Sequence, residues 1–185
     1  MTQKHCILIG APVDCGKRRR GCLMGPDAYR TAGISEAITA LGYSVEDMGN
    51  LAPLDVTVAA PRNPLVHELA ENVGWTHTLM AAALDAAPRG MPIFMGGDHA
   101  LAAGTVAGMA AHAANEGRPV LALWRDAPRD IHTPDTTDSG NRHGTPVGYG
   151  TGRRGCDAYP PLPAKGETRN SCMIGVRAGE AAAPA

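Results

Sequence analysis

At 185 residues, with 17 basic and 18 acidic side chains giving a formal charge of −1, the chain suits one domain large enough to bury a core. The balanced charge argues against a nucleic-acid or membrane-surface partner, and Lys17–Arg20 reads as a solvated basic loop. Five cysteines, odd in number and never spaced Cys-x-x-Cys, fit free thiols in a reducing compartment; with neither signal-peptide flanks nor a membrane-length apolar run, a soluble, cytoplasmic protein is expected.

In chain order, the apolar run His5–Ala11 predicts a strand covered on both faces. The glycine-rich loop after it is no phosphate loop: Gly10 and Gly16 are one residue too far apart, and Arg18 stands where a magnesium-binding hydroxyl would be needed. Gly25-Pro26 opens a helix that Gly42 ends, with Pro26 suited to the first turn. Tyr43–Met48 predicts a second strand. A long helix is expected from Asn63-Pro64 to Ala87, stopped by Pro88-Arg89-Gly90, with His67 and His77 as surface residues on it. Pro92–Met95 predicts a third strand, Ala100–Asn115 an alanine-rich helix and Val120–Trp124 a fourth strand. Strands alternating with helices imply βαβ crossovers and a parallel sheet. Residues 148–169, rich in Gly and Pro, read as loop or disorder; 170–177 holds a last strand, Ser171–Val176; 178–185 is a tail.

Two of these strands end in chemistry. Gly96-Gly97-Asp98-His99 follows the third, and Asp126, Asp130, His132, Asp135, Asp138 and His143 follow the fourth. Ligands of open α/β sheets bind beyond the carboxyl ends of the strands, so neighbouring ends would aim His99, Asp126 and Asp130 at one point. Two carboxylates with an imidazole form a mixed O/N set suited to Mn²⁺ or a similar ion, which lowers the pKa of a bound water while a nearby histidine moves the proton. Equally, the acids read as turn caps and His99 as part of a helix start.

The motifs also carry a resemblance. Gly10-Ala11-Pro12, Arg20-Gly21, Gly25-Pro26 and Arg30-x-Ala32-Gly33 come first, followed by Gly96-Gly97-Asp98-His99. Then come Trp124-x-Asp126-Ala127 with Asp130-Ile131-x-Thr133-Pro134, and Thr136-Thr137-x-Ser139-Gly140-Asn141-x-His143-Gly144; Met173–Arg177 matches a further strand. In this order they resemble the arginase branch of the ureohydrolase family, in a truncated and diverged form. The resemblance implies a three-layer α/β/α sandwich with a mostly parallel sheet, of which 1–147 is the N-terminal portion and the C-terminal part is missing. It implies hydrolysis of L-arginine to L-ornithine and urea at a binuclear Mn²⁺ centre, usually in a homo-trimer or hexamer. By the same resemblance His99, Asp126 and Asp130 are metal ligands, Ser139 and Asn141 bind substrate, and His143 is the catalytic acid/base.

The departures are specific. Pro128 stands where the family places a metal-binding histidine, His132 where asparagine is usual, and no aspartate follows Asp157 to supply the later Asp-x-Asp ligands. Of the second ion's family ligands only Asp126 remains. The expectation is at most one weakly held Mn²⁺ and little or no arginase activity. The alternatives are a non-catalytic arginase-like relic or subunit, and a mononuclear hydrolase of another guanidino compound.

Overall fold

The order of elements is that of an α/β protein, and a computed structural model describes residues 4–126, 130–164 and 171–176. Strand β1 (His5–Ala11) lies between β2 (Ser44–Asn50) and β3 (Met91–Gly96), and both pairings are parallel. Ile7 and Ile9 share one face of β1 and pack with Ala86 and Phe94; Cys6 and Leu8, on the other face, are equally buried. Coverage on both faces is why this strand is a continuous apolar run rather than an alternating one. A second parallel ladder joins β4 (Ala122–Arg125) to β5 (Ser171–Ile174). Among the described residues no backbone ladder joins the two sheets.

The helix expected between the first strands is two: α1 (Gly25–Thr31) and α2 (Ile34–Ala40), separated where Gly33 takes φ +81°. That left-handed turn ends one helix and redirects the chain into the next. Helix α3 (Leu69–Ala86) begins later than its sequence predicts, because Glu68 holds φ +50° and Asn63–Val66 is tied as a turn. His67 therefore precedes the helix, and both its ring nitrogens are hidden from solvent, contrary to the surface placement expected. A short 3-10 turn, His99–Leu101, leads into α4 (Ala102–Asn115).

Helices α3 and α4 pack closely because α4 has no side chains where they cross. A Cβ on Gly104 would stand 2.6 Å from the Thr76 carbonyl, and one on Gly108 would meet that of Met80. Around them Val73, Leu79, Ala83, Ala103 and Ala107 are buried, so small residues here bring two backbones together instead of filling space.

The described residues 148–164 have little regular structure, yet they are packed. Helix α5 (Pro146–Gly150), absent from the sequence reading, places Tyr149 against Tyr159, and both join Val66, Leu69 and Val73 in the core. The Tyr149 hydroxyl donates to the Pro160 carbonyl at 2.7 Å and the Tyr159 hydroxyl to Asn72 Oδ1 at 2.6 Å. Two aromatic anchors with satisfied hydroxyls hold a segment whose Gly/Pro content alone suggested disorder. The rest of that segment, 165–169, and the tail 178–185 lie outside the described residues.

Candidate metal centre

Three loops at the carboxyl ends of β1, β3 and β4 build the site. The first, after β1, is held by Asp14, whose shielded carboxylate accepts from Gly21 N at 2.9 Å, Cys22 N at 3.1 Å and Lys17 Nζ at 3.0 Å. Burial pushes this carboxyl up, but those hydrogen bonds outweigh it and leave it below its ordinary value. The second loop uses Asp98 as a clip: one oxygen accepts from Ala100 N and the other from Gly16 N, each at 2.8 Å. Asp98 is thereby spent on capping the 3-10 turn and pinning the first loop, and the side chain left facing the opening is His99.

The third loop begins as β4 ends. Asp130 is 2% exposed and sits at φ +49°, a left-handed conformation that non-glycine residues seldom adopt. Its carbonyl accepts from Val147 N and Gly148 N, both at 3.0 Å, and its Oδ2 accepts from Trp124 Nε1 at 2.9 Å. The Trp124 ring also meets the His99 imidazole edge-on, centroids 5.2 Å apart. One indole thus fixes the carboxylate and the imidazole together.

The result is a convergence. His99 Nε2 lies 3.0 Å from Asp130 Oδ2 and 3.4 Å from Asp126 Oδ2, and one donor atom from each of the three residues falls within 4.8 Å of the others. Among the described residues this is the one group of three or more His, Cys, Asp or Glu side chains gathered in this way. His99 Nε2 and Asp130 Oδ1 are buried with no well-directed hydrogen-bond partner. An imidazole N–H engaged in a simple ion pair would point at its carboxylate; here the approach is close but misdirected. Around an octahedral ion with bonds of about 2.1 Å, adjacent donors sit ~3 Å apart, the spacing that these atoms approach. Two carboxylates and a neutral imidazole carry the charge that a divalent ion balances, so the residues fit a cation.

Without an ion, His99 and Asp130 each favour the other's charged form. Burial lowers the His99 pKa, but Asp130, Asp126 and Asp98 outweigh it and leave the imidazole above its ordinary value. Burial would raise Asp130, yet His99 and the Trp124 indole hold its carboxyl below the usual carboxylate range.

The other sequence candidates stand around this cluster. Gly144 is beside it, since a Cβ there would lie 3.9 Å from Asp130 Oδ1. His143, its neighbour, is half-buried and donates its backbone N–H to Gly16 O at 3.1 Å. The Ser139 hydroxyl is exposed and accepts from Asn141 N at 3.2 Å, while Asn141 Oδ1 accepts from Arg18 N at 3.2 Å. His132 is not in the gathered group; its Nδ1 stands 3.2 Å from Thr136 O. Residues 127–129, including Pro128, lie outside the described residues.

Two further residues shape the site without having been candidates. Trp124 had a signal, since alternation along a strand places it on the same side as Asp126. Arg142 had none. Its guanidinium is fully buried, with Nη2 donating to Cys15 O at 2.9 Å and Nη1 to Gly140 O at 3.4 Å, and burial lowers its pKa. With Arg142 N donating to Gly16 O at 2.6 Å, it staples the Ser139–Asn141 loop to the loop after β1.

The chain is similar to known proteins along nearly its whole length. The Arginase family model matches residues 4–183. An arginase of Brucella melitensis is 48% identical over 174 residues, covering 94% of this chain and 57% of that one; one of Agrobacterium fabrum is 46% identical over 175 residues, covering 94% and 54%. The crystal structure of Bacillus caldovelox arginase superposes with a TM-score of 0.80 at 32% identity, covering 96% of this chain and 60% of that one. The chain spans little more than half the length of the relatives it matches. Family match, parallel topology and the placement of the motif residues together lead to one statement: this chain belongs to the arginase family.

Proposed function

We propose that this chain holds a single Mn²⁺ through His99, Asp126 and Asp130, in an arginase-type site for L-arginine or a related guanidino compound, and that by itself it turns L-arginine over slowly or not at all. The convergence of those three donors, with His99 Nε2 and Asp130 Oδ1 left without directed hydrogen bonds, carries the reading. When bound, the cation supplies Lewis-acid activation of water.

The remaining steps belong to side chains. The exposed Ser139 hydroxyl and the half-buried Asn141 stand side by side, Asn141 N donating to Ser139 Oγ. Because Asn141 Oδ1 is taken by Arg18 N, its NH₂ is the end available to donate to a substrate carboxylate. His143 adjoins Gly144, which lies against Asp130, and is the group to carry a proton to or from the guanidino nitrogen. Trp124 keeps Asp130 and His99 in register.

The low turnover follows from ligand count. By the family resemblance the second ion keeps Asp126, while Pro128 replaces a ligand histidine and Arg129 follows it in the sequence with a positive charge. Urea release from L-arginine by the purified chain at saturating Mn²⁺ tests the proposal. It predicts a rate at least about 100-fold below that of a full-length relative, since even altering a ligand's supporting partner costs about 10–100-fold. A comparable rate overturns the proposal.

A further inference from the structure

The basic run Lys17–Arg20 borders the Ser139–Gly140–Asn141 turn, and its members differ in what they touch. Lys17 is spent on the buried Asp14 carboxylate at 3.0 Å, and Arg20 stands 3.8 Å from Glu68. Among the described residues, Arg18 is the member of the run that reaches the turn. Its backbone N–H donates to Asn141 Oδ1 at 3.2 Å, and its guanidinium Nη2 donates to the Leu65 carbonyl at 3.2 Å. That carbonyl lies so close on Gly140 that a Cβ there has no room. Arg18 is therefore tied to the turn at both ends, once directly and once through a single carbonyl.

A second guanidinium stands against the same turn. Arg142, fully buried, donates from Nη1 to the Gly140 carbonyl at 3.4 Å, and its Nε has no partner among the described residues. Among those residues neither arginine forms an ion pair, and the exposed Asp138 beside Ser139 is paired with neither. Arginine stays protonated, so two positive charges are fixed at a turn whose own free groups, a hydroxyl and an amide, carry none. A ligand carboxylate offers both the acceptors those groups need and the missing negative charge. Arg142 is sealed from solvent and acts on such a ligand at a distance; Arg18 is exposed, and its planar fork matches a carboxylate.

We propose that Arg18 is a specificity-determining residue of this site: its guanidinium, backed by the buried charge of Arg142, selects guanidino compounds that carry a carboxylate at the far end over those that lack one. The inference rests on the arginase-type site proposed above and names the side chain that sets its preference. Because the contact to Asn141 comes from the Arg18 backbone, side-chain substitutions leave the Asn141 amide oriented as it is and change the charge beside it.

Calorimetric binding of L-arginine and of agmatine, the same molecule without its carboxylate, to the Mn²⁺-loaded chain tests it. The parent should bind L-arginine more tightly than agmatine. Arg18→Gln should weaken L-arginine binding about three- to tenfold, the range from a good exposed ion pair to a charge-assisted hydrogen bond, and leave agmatine binding unchanged. Arg18→Lys, which keeps the charge, should recover most of the loss, and added salt should narrow the gap between parent and Arg18→Gln. Arg118→Gln, at an exposed arginine past α4, should change neither affinity. An Arg18→Gln chain that binds L-arginine as the parent does overturns the proposal. So does an equal loss for both compounds, which would make Arg18 a prop of the turn, or a parent that does not distinguish them. A Mn²⁺-loaded parent that binds neither compound overturns the arginase-type site itself, and this inference falls with it.

Discussion

Replacing Asp130 with asparagine separates the charge of the site from its shape. Asparagine is nearly isosteric and tolerates left-handed backbone, so φ +49° adds no new strain, and its amide oxygen can still accept from Trp124 Nε1. The backbone contacts of Asp130 O with Val147 N and Gly148 N are untouched. What is lost is one of two carboxylate charges facing His99 and an anionic donor to the cation. Changing a partner that merely orients a metal ligand costs about 10–100-fold in affinity, so loss of an anionic ligand should cost about 100-fold or more, ~2.7 kcal/mol. The Tm of the metal-free chain should move by only a few degrees, ~2–4 °C per kcal/mol at this size. Isothermal titration with Mn²⁺ on Asp130→Asn and the parent measures the first quantity and thermal unfolding the second. An Mn²⁺ affinity within threefold of the parent in a folded variant would refute the assignment of Asp130 as a ligand.

Trp124→Phe keeps a ring against His99 but removes the donor to Asp130 Oδ2, and Mn²⁺ affinity should fall about 10–100-fold with the far-UV circular dichroism unchanged. Proton and cation compete for His99: with its pKa raised, Mn²⁺ affinity should be level above that value and fall about tenfold per pH unit below it in calorimetric titrations. In the metal-free chain the sign reverses for stability. The contribution of charged His99 is complete below its unfolded pKa of about 6.5 and is lost as pH rises through the higher folded value, which Tm measured against pH should show. Gly140→Ala puts a methyl group into the Leu65 carbonyl at φ +73°; a loss of about 2 kcal/mol, read as a Tm lower by ~4–8 °C, is expected.

Strand β1 was legible because burial on both faces leaves an unmistakable apolar run, His5–Ala11. The helix boundaries were less so, because Gly33 and Glu68 act through backbone conformation, which composition does not encode. Helix α5 is five residues long and offers no periodicity; Tyr149 and Tyr159 become anchors only once residues 66–73 are beside them. At the site, His99, Asp126 and Asp130 could be picked out because each follows a strand. Arg142 could not, since its guanidinium is held by the Cys15 carbonyl, 127 positions earlier. The β4–β5 pairing, across some 45 intervening residues, was equally hidden.

The most direct test is the Mn²⁺ stoichiometry of the purified chain beside a variant carrying His99→Ala, Asp126→Ala and Asp130→Asn. The account predicts one ion per parent chain and none in the triple variant, with both proteins folded. A parent that binds no Mn²⁺, or a triple variant that binds it equally well, would contradict it.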